Sequence, residues 1–220
     1  MNEPPDLLEG IDLPSEPQQN RSASSRQRLK TAGLEVFGKR GYEAASINEI
    51  ALKADVAVGG FYRHFRSKRQ LLLVLMDDLL QELYEVRFQR FEGDDLKASL
   101  KGLLTAALAR DLAHIGAYRA WHEAIRSDED LAAKDAEIRS WTNWRLTQLF
   151  AYLMSLQEPR PGINIGALVR VIDQLLWNLA CDAAHGTEVE VDQLTTTSAH
   201  IIYNAIFTDS PEKKTCGTVE

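Results

Sequence analysis

The sequence predicts an all-α fold of about nine helices, a small three-helix head followed by a larger helical body, and three observations carry that prediction. Apolar residues recur at three- and four-residue spacing through most of the chain, and no segment shows the period of two that a half-buried strand requires. Glycine, proline and short polar clusters interrupt the pattern at intervals suited to helices of ordinary length. The chain has 220 residues and 45% hydrophobic content, enough to bury a sizeable core. It contains no internal repeat and no sustained heptad.

Residues 1–20 place Pro4, Pro5, Pro14 and Pro17 among five acidic side chains and no basic one, the composition of a disordered acidic arm. Such an arm is either a mimic of a phosphate backbone or a solubilising extension. A first helix is expected over about residues 24–40, with Leu29, Ala32, Gly33, Val36 and Phe37 on one face and Gly41 ending it. Ser46 stands three residues before Glu49, which makes a capping box, and Ile47, Ile50, Ala51 and Ala54 then share a face, so a short helix is expected over about residues 47–53. Asp55 and Val56 break it. A second short helix over about residues 57–65 sets Phe61 and Phe65 one turn apart, and Ala51 and Ala54 are small enough for two helices to cross closely.

Ser67 caps a long helix from Lys68, whose Leu71, Leu72, Leu75, Leu79, Leu80 and Leu83 can pack first on the head and then on the body. After Gly93 and Asp94, helices are expected over about residues 95–113, 115–126, 128–157, 163–185 and 191–207. Polar residues 209–220 read as a flexible tail. The expected division is therefore an arm (1–20), a head (21–69), a body (70–208) and that tail.

Charge singles out the head. The net charge is -7, yet residues 21–69 carry eleven Lys and Arg against four Asp and Glu. A basic segment on an otherwise acidic chain is the electrostatic footprint of a nucleic-acid contact, and two short helices about a tight turn within it outline a helix-turn-helix. Cys181 and Cys216 lie in an apolar helix and a polar tail, so no structural disulfide is expected. The N-terminus lacks a signal-peptide pattern, and no apolar run approaches the ~20 residues that span a bilayer; a soluble, cytoplasmic protein with no membrane partner is expected.

The stretches VFGKRGYEAAS, IAxxADVAxGxFYRHF and SKRQLL, over about residues 26–76, resemble the TetR family of bacterial transcriptional regulators. Asp55 stands where many members have Gly, and Ala57 where many have Ser or Thr; with Gly59 and Gly60 this makes the second motif helix under-capped and flexible. The resemblance implies a homodimer that binds a double-stranded DNA operator and answers to a small effector. It implies base contacts from Asn48, Val58 and Gly60, the last by close backbone approach, and phosphate contacts from Tyr62, His64 and Lys68. Ser46 is a plausible addition at a helix N-terminus, and Arg63 can reach a guanine. The other reading of Tyr62 and His64 is a packed edge of the head.

For the body, Leu168, Ile172, Leu175, Leu176 and Leu179 on one helix and Ile201, Ile202 and Ala205 on the next form wide apolar stripes, suited to a dimer interface or to an intrachain core. The middle helices are rich in aromatic residues. Phe88, Tyr118, Trp121, His122, Trp144 and Trp177 are the candidates to line a pocket for a small apolar or aromatic effector, ordinary core being the alternative. Cys181, Asp182 and His185 are too few and too irregular for a metal site, so no metal and no cofactor is expected. No nucleophile elbow, phosphate loop or metal motif supports an enzyme. The leading expectation is a ligand-responsive repressor, with a DNA-binding protein lacking an effector as the alternative.

Overall fold

The computed structural model describes residues 3–14, 20–86, 95–183 and 188–207. Among them the regular structure is all helical: α1 (Asn20–Ala44), α2 (Ile47–Lys53), α3 (Val58–Tyr62), α4 (Lys68–Glu85), α5 (Leu96–Ala113), α6 (Ile115–Ala124), α7 (Glu129–Leu156), α8 (Ile165–Ala183) and α9 (Glu188–Ile206). The all-α class and the helix number agree with expectation. The tail and Phe88 fall outside the described residues, as do His185 and the side chains of Cys181 and Asp182.

Side chains start these helices where the sequence supplies them. Ser46 Oγ accepts the Glu49 amide at 3.2 Å while Glu49 Oε2 accepts the Ser46 amide at 3.3 Å, completing the capping box. Ser67, Asp95 and Asp128 accept from Gln70, Ala98 and Leu131 at the starts of α4, α5 and α7. By contrast Ala57 offers α3 no side-chain cap, and that helix is only 5 residues long, shorter than expected. In the turn before it Asp55 is left-handed with φ 51°, and Arg28 Nη1 donates to its carbonyl at 3.2 Å, which offsets part of the strain.

Two hydrophobic clusters organise the molecule. The first joins Leu29, Phe37, Ile50, Phe61 and Phe65 with Leu71, Leu72 and Leu79 of α4 and Ala117, Ala120 and Trp121 of α6. α1 and α6 pack most extensively, and they touch where a Cβ on Gly116 would collide with the Leu34 carbonyl. The second cluster gathers α5, the end of α7, α8 and α9 around Leu104, Phe150, Ile172 and Ile202.

Residues 3–14 depart from the expectation of a disordered arm. Leu7 is fully buried in the first cluster, with Leu8, Ile11 and Leu13 packed beside it. Asp12 pairs with Arg66 Nη2 at 2.6 Å, and its carbonyl accepts from Arg66 Nε and Gln70 Nε2, each at 3.0 Å. The proline and acid content obscured four apolar residues close enough in sequence to dock as a unit.

Candidate DNA-binding face and ligand cavity

The face presented by α2 and α3 contains Asn48, Val58, Tyr62 and Arg63, all exposed. Tyr62 is 52% exposed, and its ring packs edge-to-face with Phe61, centroids 5.7 Å apart. Ser46, only partly buried, has its hydroxyl engaged with Glu49. That engagement holds the Glu49 carboxyl below its usual range.

Three assignments on this face need correction. Gly60 is buried, and a Cβ there would run into Val56 Cγ1; its small size serves the turn inside the head rather than an approaching DNA backbone. His64 is 5% exposed, leaning on Phe65 while its carbonyl accepts from Arg26. Burial, aided by the Arg26 and Arg63 guanidiniums, lowers its pKa, so the ring is neutral at pH 7 and unsuited to holding a phosphate by charge. Lys68 Nζ donates to the carbonyls of Tyr42, Glu43 and Ala45 at 2.7, 3.0 and 3.2 Å and lies 4.6 Å from the Tyr42 ring centre. All three ammonium hydrogens have a carbonyl, so this side chain is a clamp within the head.

Lys68 has a counterpart. Gly41 takes φ 75°, bending the end of α1, and Glu123 of α6 accepts the amides of Tyr42 and Glu43 at 2.6 and 3.2 Å. The junction leading into α2 is therefore gripped on its carbonyls by α4 and on its amides by α6. A further bond ties α4 to the start of α7, from Arg69 Nε to Asp128 at 2.5 Å. Neither partner of these bonds adjoins the other in sequence, which is why Glu123 and Asp128 were not legible beforehand.

The head's positive charge is also partly answered internally. Arg40 pairs with Glu49, Lys53 with Glu35, Arg66 with Asp12 and Lys30 with Asp78. The first three are largely exposed, and pairs of that kind are worth about 0–1 kcal/mol, so a phosphate can compete for them. Arg63 makes no ion pair among the described residues.

A cavity of about 360 Å³ lies between α4, α5, α6, α7 and α8. Its walls are largely leucine and aromatic, and Tyr118, His122 and Trp177 are among the lining residues. Their rings cluster, with Trp177 5.1 Å from Tyr118 and 4.3 Å from His122. Trp121 does not line it: it is 1% exposed, donates Nε1 to Asp135 at 2.9 Å and belongs to the core. Trp144 is likewise absent from the lining, and Trp141, one helical turn earlier on α7, takes that place. The sequence search for aromatics missed the polar part of the wall: Asp111, Asp135, Arg139, Arg145 and Asp173. Asp111 is pushed up to about 7 by burial, even though Tyr118 donates to it.

On α8 and α9 the apolar stripes divide. Ile172, Leu179 and Ile202 are buried within the chain, and Leu176 lines the cavity, so these four are corrected to intrachain roles. Leu168 and Leu175 are half-buried, Ala205 is exposed, and Ile201 is 54% exposed. Val171, not singled out in the sequence, is 67% exposed between Leu168 and Leu175. No helix among the described residues is long and apolar enough to cross a membrane.

A family model described as bacterial regulatory proteins, tetR family, matches residues 30–75. The HTH-type transcriptional repressor KstR of Mycolicibacterium smegmatis is 35% identical over 96 residues, covering 44% of this chain and 41% of that protein. Among solved structures, the ketosteroid transcriptional regulator KstR2 of Mycobacterium tuberculosis aligns with a TM-score of 0.67 at 19% identity, covering 87% of this chain and 98% of that one. The regulator FadR of Bacillus subtilis, in complex with stearoyl-CoA, aligns with a TM-score of 0.60 at 17% identity, covering 82% and 98%. At such identities the structural likeness speaks for the fold alone.

Proposed function

The chain belongs to the TetR family of bacterial transcriptional regulators, and from that premise we propose that it is a cytoplasmic, homodimeric repressor, not an enzyme, released from a palindromic operator by a small effector. Residues 21–69 form the DNA-binding unit, and residues 70–208 the effector and dimer unit. Asn48, Val58 and Arg63 meet base edges. Tyr62 and the first amides of α4 meet phosphates. Pairing through Val171, Leu175, Ile201 and Ala205 sets two such faces on successive half-sites, which is how a single short recognition helix gains affinity and specificity.

One observation carries the effector reading: Tyr118 and His122 line the cavity, and the residue following His122 on the same helix, Glu123, holds the junction into α2. A molecule that displaces α6 therefore acts on the placement of α2 and α3. α4 offers a parallel route, because Leu80 and Leu83 line the cavity while Lys68 and Arg69 bind the head and α7. Ligand binding need only favour one of two conformers whose heads fit the operator differently.

The reading is tested by selecting bound duplexes from random sequence and then titrating the selected site with cavity ligands. A palindromic consensus whose affinity falls on ligand addition is expected. Recovery of no preferred sequence would sink the regulator reading, and a preferred site indifferent to every cavity ligand would leave a DNA-binding protein without effector.

A further inference from the structure

The titratable and charged groups on the cavity wall are Asp111 of α5, Tyr118 and His122 of α6, the pair Asp135 and Arg139 with Arg145 of α7, and Asp173 of α8. Both positive groups are already engaged. Arg139 Nε donates to Asp135 at 2.6 Å and its Nη2 pairs with the same carboxylate, which also holds Trp121. Arg145 donates to the carbonyls of Leu83 and Val86 at 2.8 and 2.9 Å and stacks 4.9 Å from the Trp141 ring centre. An anionic head group would compete with these bonds for the guanidinium donors.

The carboxylates are in the opposite situation. Asp111 and Asp173 make no ion pair among the described residues, and both face the cavity. Asp111 is deeply buried, and its Oδ1 has no hydrogen-bond partner, an orphan acceptor at the cavity wall. A buried polar atom left in this way is destabilising unless a ligand meets it. Beside it stand the Tyr118 and Trp177 rings, whose faces attract a cation.

We infer that the effector is an amphipathic cation, with an apolar body among the leucines and an ammonium received by Asp111 and Asp173 against the Tyr118 and Trp177 rings. This rests on the reading of the cavity as the effector site. Such a ligand gives the orphan acceptor a partner, offsets two unpaired carboxylates and leaves the Arg139 and Arg145 bonds intact.

The test uses three probes with the same chain, decylammonium, decanoate and decanol, below micelle-forming concentration, titrated into the full chain by calorimetry. The cation is expected to bind at least ~10-fold tighter than decanoate near pH 8, with decanol between them. Because Asp111 titrates at about 7, the cation's affinity should fall roughly tenfold from pH 8 to pH 6. His122, whose pKa is lowered by burial, adds a repulsion of the same sign only further into acid. Asp111→Asn should remove most of that pH dependence, leaving the part owed to Asp173, whose carboxyl pKa burial also raises, and Asp173→Asn should weaken the cation while retaining it. Unchanged decanol binding in both variants reports an intact cavity. Decanoate binding as tightly as the cation overturns the inference and leaves the effector site standing. Failure of all three probes to bind overturns both, and an undiminished pH dependence in Asp111→Asn overturns the assignment of the ammonium to Asp111.

Discussion

The ammonium of Lys68 meets three carbonyls at the end of α1, and this changes what its removal should do. Lys68→Ala leaves those acceptors short of partners in a partly buried junction, so the head should lose about 2 kcal/mol of stability. Operator binding should weaken with its salt dependence unchanged, whereas a lost phosphate contact would reduce the salt slope by about one. Chemical denaturation and binding across a salt series separate the two. At Asp111, the folded protein retains a proton between the ordinary carboxyl value of 3.8 and about 7, where the unfolded chain has already lost it. Stability therefore falls as pH rises through that window and levels off above it. Asp111→Asn should melt roughly 5 °C higher than the parent near pH 8, with the advantage shrinking towards pH 4. An advantage equal at both ends would contradict the burial argument.

At the scale of elements, the segment 3–14 and the α8/α9 face make the clearest claims. Leu7 is fully buried against the head and α4, so Leu7→Ala should cost about 2–4 kcal/mol, read from unfolding midpoints. A cost within ~0.5 kcal/mol would mean that the segment is not docked in solution. On α8 and α9, Val171 and Ile201 are the large apolar side chains left most open. Val171→Glu with Ile201→Glu should convert a dimer to a monomer in sedimentation equilibrium with the melting temperature of the monomer fold little changed. An unaltered assembly would place the interface elsewhere. α3 shows why element length was misjudged: Phe61 and Phe65 are both buried as the periodicity requires, but an uncapped start and adjacent glycines stop the helix at Tyr62.

Across the whole molecule, coupling between cavity and head depends on rigid pieces that belong to both. Glu123→Gln keeps the size of the side chain at the α1 to α2 junction but retains one acceptor oxygen, so one charge-assisted bond becomes neutral and the other is lost, its amide facing an NH2 group. Cavity ligands should bind it within about twofold of the parent, while their effect on operator affinity shrinks by about tenfold. Equal coupling in both proteins would remove α6 as the link and leave α4. The first hydrophobic cluster supports the α6 route, because it runs without interruption from the head through α4 and α6 to Leu131 and Trp141 of α7.

Local chemistry determined what the sequence could disclose alone. The capping box at Ser46, the cap at Ser67, the left-handed turn at Asp55 and the buried pair Phe61 and Phe65 each depend on neighbours within a few residues, and all were readable. So was the family, whose motif is one short contiguous stretch. Packing decided the rest. Whether Lys68 faces solvent or three carbonyls, whether Trp121 lines a cavity or fills a core, and which half of the α8 stripe stays open depend on residues far along the chain, 26 positions away for Lys68 and Tyr42 and 14 for Trp121 and Asp135. Helical periodicity identifies an apolar face but not what covers it, and the partners that settle the matter, Glu123, Asp135 and the Tyr42 carbonyl, meet these side chains only once α1, α4, α6 and α7 have assembled.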